Sequence, residues 1–365
     1  MGQDAASPSM DWARKYIRNL EGFKLKNCQS IDAVRVENTS VKHIRDWFKA
    51  AEETLKPQTV RKELTFNMDE TMVDDSKNGV KVIVPSNALP LRIDQHDSDG
   101  FHITLVFCVG ADGKSMKCSL ILPLAEFPLN LEAFADKFHW AGQSSGWITE
   151  EIFYSWVTEA FIPHVNRRRV ELKAENERAI LFIDSHESRR SPRALEALKA
   201  ANIDTYTFSS HSTHVAQPLD LGINRSFKTK LRAARSEGPS NTVAERRIRL
   251  LKKCARACHE ALYDETIIKA WGKSGLSPWN VETTLKSEYV IEEVPSEIAK
   301  AGMKRKRSKI SLTERLLTDQ NLINELKHKK EEKEKPKRPR GRPPKKLAKM
   351  NELEESWDSS QSDSD

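Results

Sequence analysis

Ala179-Ile180-Leu181-Phe182-Ile183-Asp184-Ser185-His186 sets five apolar residues in an unbroken run and follows them with a carboxylate, a hydroxyl and an imidazole. A continuous apolar run of this length suits a central strand covered on both faces of an α/β sheet. Ligands of open α/β sheets collect at the carboxyl ends of the strands, which puts Asp184 where chemistry is done. Taken alone, the stretch equally allows Asp184 to cap the helical pattern that opens at Ser191-Pro192.

The neighbouring patterns supply the rest of a sheet. Leu64 to Asp69 alternates as a strand, Val80 to Val84 is a short apolar run, and Phe101 to Val109 is rich in β-branched and aromatic residues. The turn Gly110-Ala111-Asp112-Gly113 leads into a return strand over Ser115 to Leu122. An amphipathic helix follows from Thr149 to about Arg169, with Phe153, Trp156, Val157, Ala160 and Phe161 inward and Pro163 expected to kink or divide it. After residues 179–183 come a helix over Pro192 to Ala201, a strand over Asp204 to Phe208, and helical patterns at Ile223 to Ala234, Val243 to Leu262 and Glu265 to Gly272. Antiparallel-type strands followed by alternating helices and strands give the order a ribonuclease H-like mixed sheet with flanking helices requires. Before the sheet, Trp12 to Phe23 and Asn38 to Leu55 have helical spacing, the second with a stripe of Val41, Ile44, Trp47, Phe48 and Ala51. The expected organisation is a helical segment and linker at 1–56, the sheet domain at 61–282, a basic tail at 300–349 and an acidic, Ser-rich terminus at 350–365.

The formal charge of +7 is unevenly spread. Residues 1–299 balance 41 Lys and Arg against 41 Asp and Glu, whereas residues 300–349 carry 19 basic and 6 acidic residues. A neutral body with a basic arm points to nucleic acid rather than membrane, because the arm has no sustained apolar face. Apart from a helix at Leu312 to Lys327, the tail from Gly302 onward is expected to be disordered. The five cysteines show no paired CxxC spacing, and Cys254 and Cys258 beside His259 read as packing residues. An odd cysteine count without a signal peptide or long apolar span points to a reducing interior compartment.

Three acids stand at element ends: Asp69, Asp184 and Asp220. If the first strand neighbours the 179–183 strand, the three converge. Converging carboxylates repel one another, so divalent cations stabilise such a cluster. Hard oxygen ligands favour Mg²⁺ or Mn²⁺ over zinc, and two ions roughly 3.5–4 Å apart activate the attacking group and stabilise the leaving oxygen of a phosphoryl transfer. Glu70, Asp74 and Asp75 read as solvated neighbours of Asp69. His96, Asp97, Asp99 and His102 read as the turn before a strand.

Asn67-Met68-Asp69-Glu70-Thr71, Phe182-Ile183-Asp184-Ser185-His186 and His211-Ser212-Thr213-His214-Val215-Ala216-Gln217-Pro218-Leu219-Asp220 resemble the three motifs of DDE superfamily endonucleases of pogo, Tigger and Jerky type. These are transposases and domesticated relatives such as centromere protein B. Ala270-Trp271-Gly272-Lys273-Ser274-Gly275-Leu276-Ser277-Pro278-Trp279 supports the likeness, which covers roughly residues 10 to 282. The resemblance implies that Asp69, Asp184 and Asp220 are the metal-binding catalytic triad, with His186, His211, His214 and Gln217 as auxiliary candidates. Ser185 stands where the family more often has Asn or Gly, and Arg189 where a second His is common. The family usually begins with paired helix-turn-helix units, of which only Trp12 to Phe23 resembles a last helix. That leaves either a truncated gene model or reliance on another arm for DNA.

Such an arm is written in Lys337-Arg338-Pro339-Arg340-Gly341-Arg342-Pro343, which resembles an AT-hook within residues 335–346. Glycine lets an extended backbone lie in a narrow groove, arginines meet the enhanced negative potential of A·T-rich minor groove, and prolines lower the ordering cost. Lys304-Arg305-Lys306-Arg307 reads as a nuclear import signal. The expectation is a nuclear, DNA-binding transposase or transposase-derived endonuclease using Mg²⁺ or Mn²⁺, with homodimerisation in view. The alternative is a domesticated DNA-binding protein that keeps the fold without catalysis.

Overall fold

In the computed structural model the run Ala179–Ile183 is strand β5, buried along its whole length between two apolar layers. The described residues are 38–74, 102–123, 133–143 except 135, 146–209, 212–234, 242–292 and 310–334, with short pieces between 11 and 20. The other strands are β1 (Thr65–Asp74), β2 (His102–Gly110), β3 (Ser119–Leu122), β4 (His139–Gly142) and β6 (Ile203–Thr207). They form one sheet in the order β4-β3-β2-β1-β5-β6. The β1/β2 and β2/β3 pairs are antiparallel, whereas β1/β5, β5/β6 and β3/β4 are parallel. This is the expected ribonuclease H-like mixed sheet, with the 179–183 strand beside the first. Edge strand β4 was not anticipated, because half-buried His139-Trp140-Ala141-Gly142 lacks a strong β signature.

Alternation divides the core into two layers. Phe66 and Met68 of β1, Val106 and Cys108 of β2, and Leu181 and Ile183 of β5 face one layer. Leu105, Phe107, Ile180 and Phe182 face the other. The first layer is closed by α2 (Glu150–Ser155), a π-helical segment Trp156–Phe161, α3 (Ile162–Leu172) and α4 (Pro192–Ala200). The change of winding falls just before Pro163, inside one continuous helical run from Glu150 to Leu172, where π-type winding accommodates a residue without an N–H. Short α5 (Thr213–Ala216) and a second π-type turn, Leu219–Ile223, lead into the cover of the other layer. That cover comprises α1 (Val41–Leu55), α6 (Asn224–Ala233), α7 (Val243–Ala261), α8 (Asp264–Ser274) and α9 (Val281–Leu285). In α1, Trp47 stacks near Phe208 and donates its indole N–H to the Thr207 carbonyl at 3.1 Å. This helix therefore belongs to the packed body rather than to a separate leader.

The tail expectation needs correction between 310 and 334. Residues 310–318 lie along β6: Leu317 N–H donates to Thr205 O at 2.7 Å, and Thr207 N–H donates to Arg315 O at 3.1 Å. Helix α10 (Gln320–Glu334) follows and buries Leu322, Ile323 and Leu326 with Ile310, Leu312 and Leu317. A bare sheet edge exposes unpaired backbone groups, and this segment satisfies them while its sparse apolar residues fill the layer beneath. Basic composition concealed that stripe. The helix starts later than Leu312 because Leu312 to Thr318 are taken by the edge. Val80 to Val84, Lys304 to Arg307 and everything from residue 335 onward, including the AT-hook-like stretch, lie outside the described residues.

Candidate active site

Parallel pairing aligns Asn67 with Phe182, so two residues further along each strand Asp69 and Asp184 stand level on adjacent strands. Carboxylate oxygens of Asp69, Glu70 and Asp184 all lie within 4.8 Å of one another. Glu70 is therefore corrected from a solvated neighbour to a member of the cluster. Asp220 lies outside that set, exposed on the π-type turn Leu219–Ile223. It is joined to the cluster by Asn224, whose Nδ2 donates to Asp69 Oδ2 at 2.9 Å and to Asp220 Oδ1 at 3.2 Å.

Asn67 ties the three carrier elements together. It is fully buried; its Nδ2 donates to Phe182 O at 3.0 Å, and its Oδ1 accepts from Leu219 N–H at 3.0 Å. One amide thus links the strand of Asp69, the strand two residues before Asp184, and the turn one residue before Asp220. A buried backbone group without a partner costs about 1–3 kcal/mol, so this side chain fixes the relative position of all three motifs.

Arg189 is the other feature that sequence reading did not resolve. The turn Glu187–Arg190 folds it back under the cluster, fully buried. Its Nη2 donates to Glu70 Oε1 at 2.7 Å and to Asp184 Oδ1 at 3.1 Å, and its guanidinium lies 4.8 Å from the Phe153 ring centre. Burial opposes its charge, but Glu70 and Asp184 outweigh that and hold its pKa above the ordinary value. Asp69 has no such cation. Burial first, then the charges of Asp220, Glu70 and Asp184, push its carboxyl well above the ordinary value, while the Asn224 hydrogen bond pulls the other way. Asp69, Asp184 and Asp220 stood out in the sequence as candidates; the pairing of Arg189 with Glu70 and Asp184 depends on a turn that folds it back.

The auxiliary candidates scatter. His186 Nδ1 faces Ser188 Oγ at 2.9 Å and shapes the turn carrying Arg189. Gln217 is buried, and its backbone carbonyl accepts from Asp220 N–H at 3.1 Å, so its main chain shapes the turn carrying the third acid. His214 packs its ring 5.7 Å from Tyr289. His211 lies outside the described residues. Asp184 caps no helix: Ser191 is the N-cap of α4, and His186 accepts at the start of the 187–190 turn.

The donor set is chemically suited to a hard divalent cation. It is all carboxylate, closely spaced, and Asp69 carries an electrostatic penalty that a cation would relieve. Arg189 already supplies one positive charge, so the cation requirement is concentrated at Asp69 and Asp220.

Residues 102–271 match the family model of the DDE superfamily endonucleases. The chain is also similar to the crystal structure of a pre-cleavage Mos1 transpososome, with a TM-score of 0.50 and 13% identity over 76% of this chain and 71% of that one. A Mos1 mariner paired end complex with Mn matches at a TM-score of 0.46 and 14% identity over the same shares. Among curated proteins, the MFS-type transporter clz9 of Cochliobolus lunatus is 35% identical over 97 residues, which are 26% of this chain and 10% of that protein. Among the described residues, no helix is long and apolar enough to cross a membrane. The mixed six-stranded sheet is thus of ribonuclease H-like fold, and residues 102–271, just under half of the chain, are similar to the DDE superfamily endonucleases.

Proposed function

We propose that this protein is a transposase or transposase-derived endonuclease that cleaves and joins DNA phosphodiesters. The observation that carries the reading is the convergence of Asp69, Glu70 and Asp184 at adjacent strand positions, with Asp220 tethered to Asp69 through Asn224. Asp69, Asp184 and Asp220 are the proposed catalytic acids and would hold Mg²⁺ or Mn²⁺, two ions in the active state, with Glu70 beside them. Such ions, when bound, lower the pKa of the attacking hydroxyl and neutralise charge on the phosphate and the leaving oxygen. The chain's own residues fix the geometry: Asn67 sets the acids' relative places, and Arg189 pins Asp184 and Glu70.

The partner is DNA, reached also by the AT-hook-like stretch Lys337 to Pro343 in the A·T-rich minor groove. With Lys304 to Arg307 as an import signal, the nucleus is the proposed compartment, and a homodimer the proposed assembly. Nicking of supercoiled plasmid by the purified chain with Mg²⁺ or Mn²⁺, lost in Asp184→Ala, tests the chemistry; inactivity on every DNA with either metal would overturn it. One observation favours a second reading, a DNA-binding protein that keeps the fold without catalysis: Arg189 already pairs with two of the acids, offsetting one of their two charges. Under that reading DNA affinity survives Asp184→Ala and collapses in Arg340→Ala/Arg342→Ala.

A further inference from the structure

Helix α6 begins at the acids and carries cations away from them. Asn224, its first residue, holds Asp69 and Asp220. At 100° per residue, Arg225, Lys228 and Arg232 fall within an arc of about 60° and span about 10 Å along the axis. All three are exposed, while Phe227 on the other side is fully buried. No carboxylate pairs with any of the three among the described residues, whereas the off-stripe Lys230 lies 3.9 Å from Glu260, which also accepts from Arg256 at 2.9 Å. Exposed lysines and arginines are ordinary. An unneutralised row of them that starts one residue from a side chain bonded to two candidate catalytic acids is not.

We propose that the Arg225, Lys228 and Arg232 face of α6 is a docking track for the DNA phosphate backbone, leading the strand toward the acids. This rests on the endonuclease reading above. A polyanion fits because three unpaired cations in a line reward successive phosphates, and because neutralising them offsets the repulsion that the acids exert on an incoming strand. The body of the protein would then grip DNA at its active site, independently of the tail.

The test uses the full chain with Arg340→Ala/Arg342→Ala, a fluorescein-labelled duplex and fluorescence anisotropy in EDTA over a range of salt. Adding Arg225→Ala/Lys228→Ala/Arg232→Ala is expected to weaken binding by about tenfold or more and to flatten the log-affinity against log-salt slope by roughly 2 to 3. An unchanged affinity and slope would overturn the proposal. So would an equal loss from Lys42→Ala/Lys49→Ala/Lys62→Ala, which removes the same charge from exposed positions elsewhere. If the triple variant melts early, each single variant should flatten the slope by about 1, and no change in any of them overturns the proposal equally. Because EDTA excludes metal chemistry, a parent chain that never nicks DNA defeats the endonuclease reading without altering this measurement.

Discussion

The acid cluster has two halves built on different supports. Asp69 and Glu70 ride on β1 and Asp184 directly follows the neighbouring β5, and the buried Arg189 pairs with Glu70 and Asp184. Asp220 rides on a π-type turn at the surface and is held by amides alone, Asn224 directly and Asn67 through the backbone of Leu219. The strand half is hydrogen-bonded into the sheet and paired with an arginine; the turn half is tethered by amides. Positioning and charge balance are therefore separate problems in this site, solved by asparagines and by an arginine.

The sharpest way to break that division is Asp184→Ala, which removes the acid common to the strand pair and the arginine. Metal-dependent plasmid nicking should fall by about two orders of magnitude or more, the scale of losing a group that stabilises transition-state charge. Arg189→Met comes next. It takes the buried guanidinium away from the partly exposed Glu70 and Asp184, and losing hydrogen bonds to charged groups costs about 1.5–3 kcal/mol, readable by urea denaturation. Added Mn²⁺ should then raise Tm more in this variant than in the parent; an equal rise would mean that Arg189 has no part in charge balance.

Asn67→Leu probes the link between the halves. It strands the Phe182 carbonyl and the Leu219 N–H, each worth about 1–3 kcal/mol. If the two halves are joined as described, this conservative-sized change lowers stability and nicking together; retention of both would show that the turn holds its place unaided.

The smallest effect is a pH dependence. Asp69 has a folded-state pKa raised above the ordinary value of 3.8, so its ionisation costs stability progressively as pH rises above that value, until it passes the raised folded one. Asp69→Asn removes the cost while keeping an oxygen for Asn224. The metal-free variant should melt roughly 2–4 °C above the parent at pH 7, with the gain shrinking to nothing as pH falls toward 3.8. A gain that persists at low pH would refute the electrostatic account.

The unbroken apolar run of β5 was enough to announce a strand covered on both faces, and alternation in β1 and the β-branched and aromatic residues of β2 announced its neighbours, because burial leaves its mark on the sequence. Asp184 was legible for the same reason, directly after β5; Asp69, expected to end the first strand, lies inside β1, which runs on to Asp74. Charge composition, read locally, misled twice. Residues 310–334 look like basic tail, yet their few apolar side chains pack beneath a sheet edge that only the folded sheet creates. Glu70 looks like a solvated neighbour, yet it faces a guanidinium delivered from 119 residues away. Sequence by itself determined most of the elements and that Asp184 directly follows β5, since local periodicity carries that information, whereas Asp69 lies inside β1 rather than at its end. Tertiary structure alone decided which amide joins the three motifs, which cation balances them and where the unpaired cations of α6 lie, because those contacts depend on chain segments that meet only once the sheet is assembled.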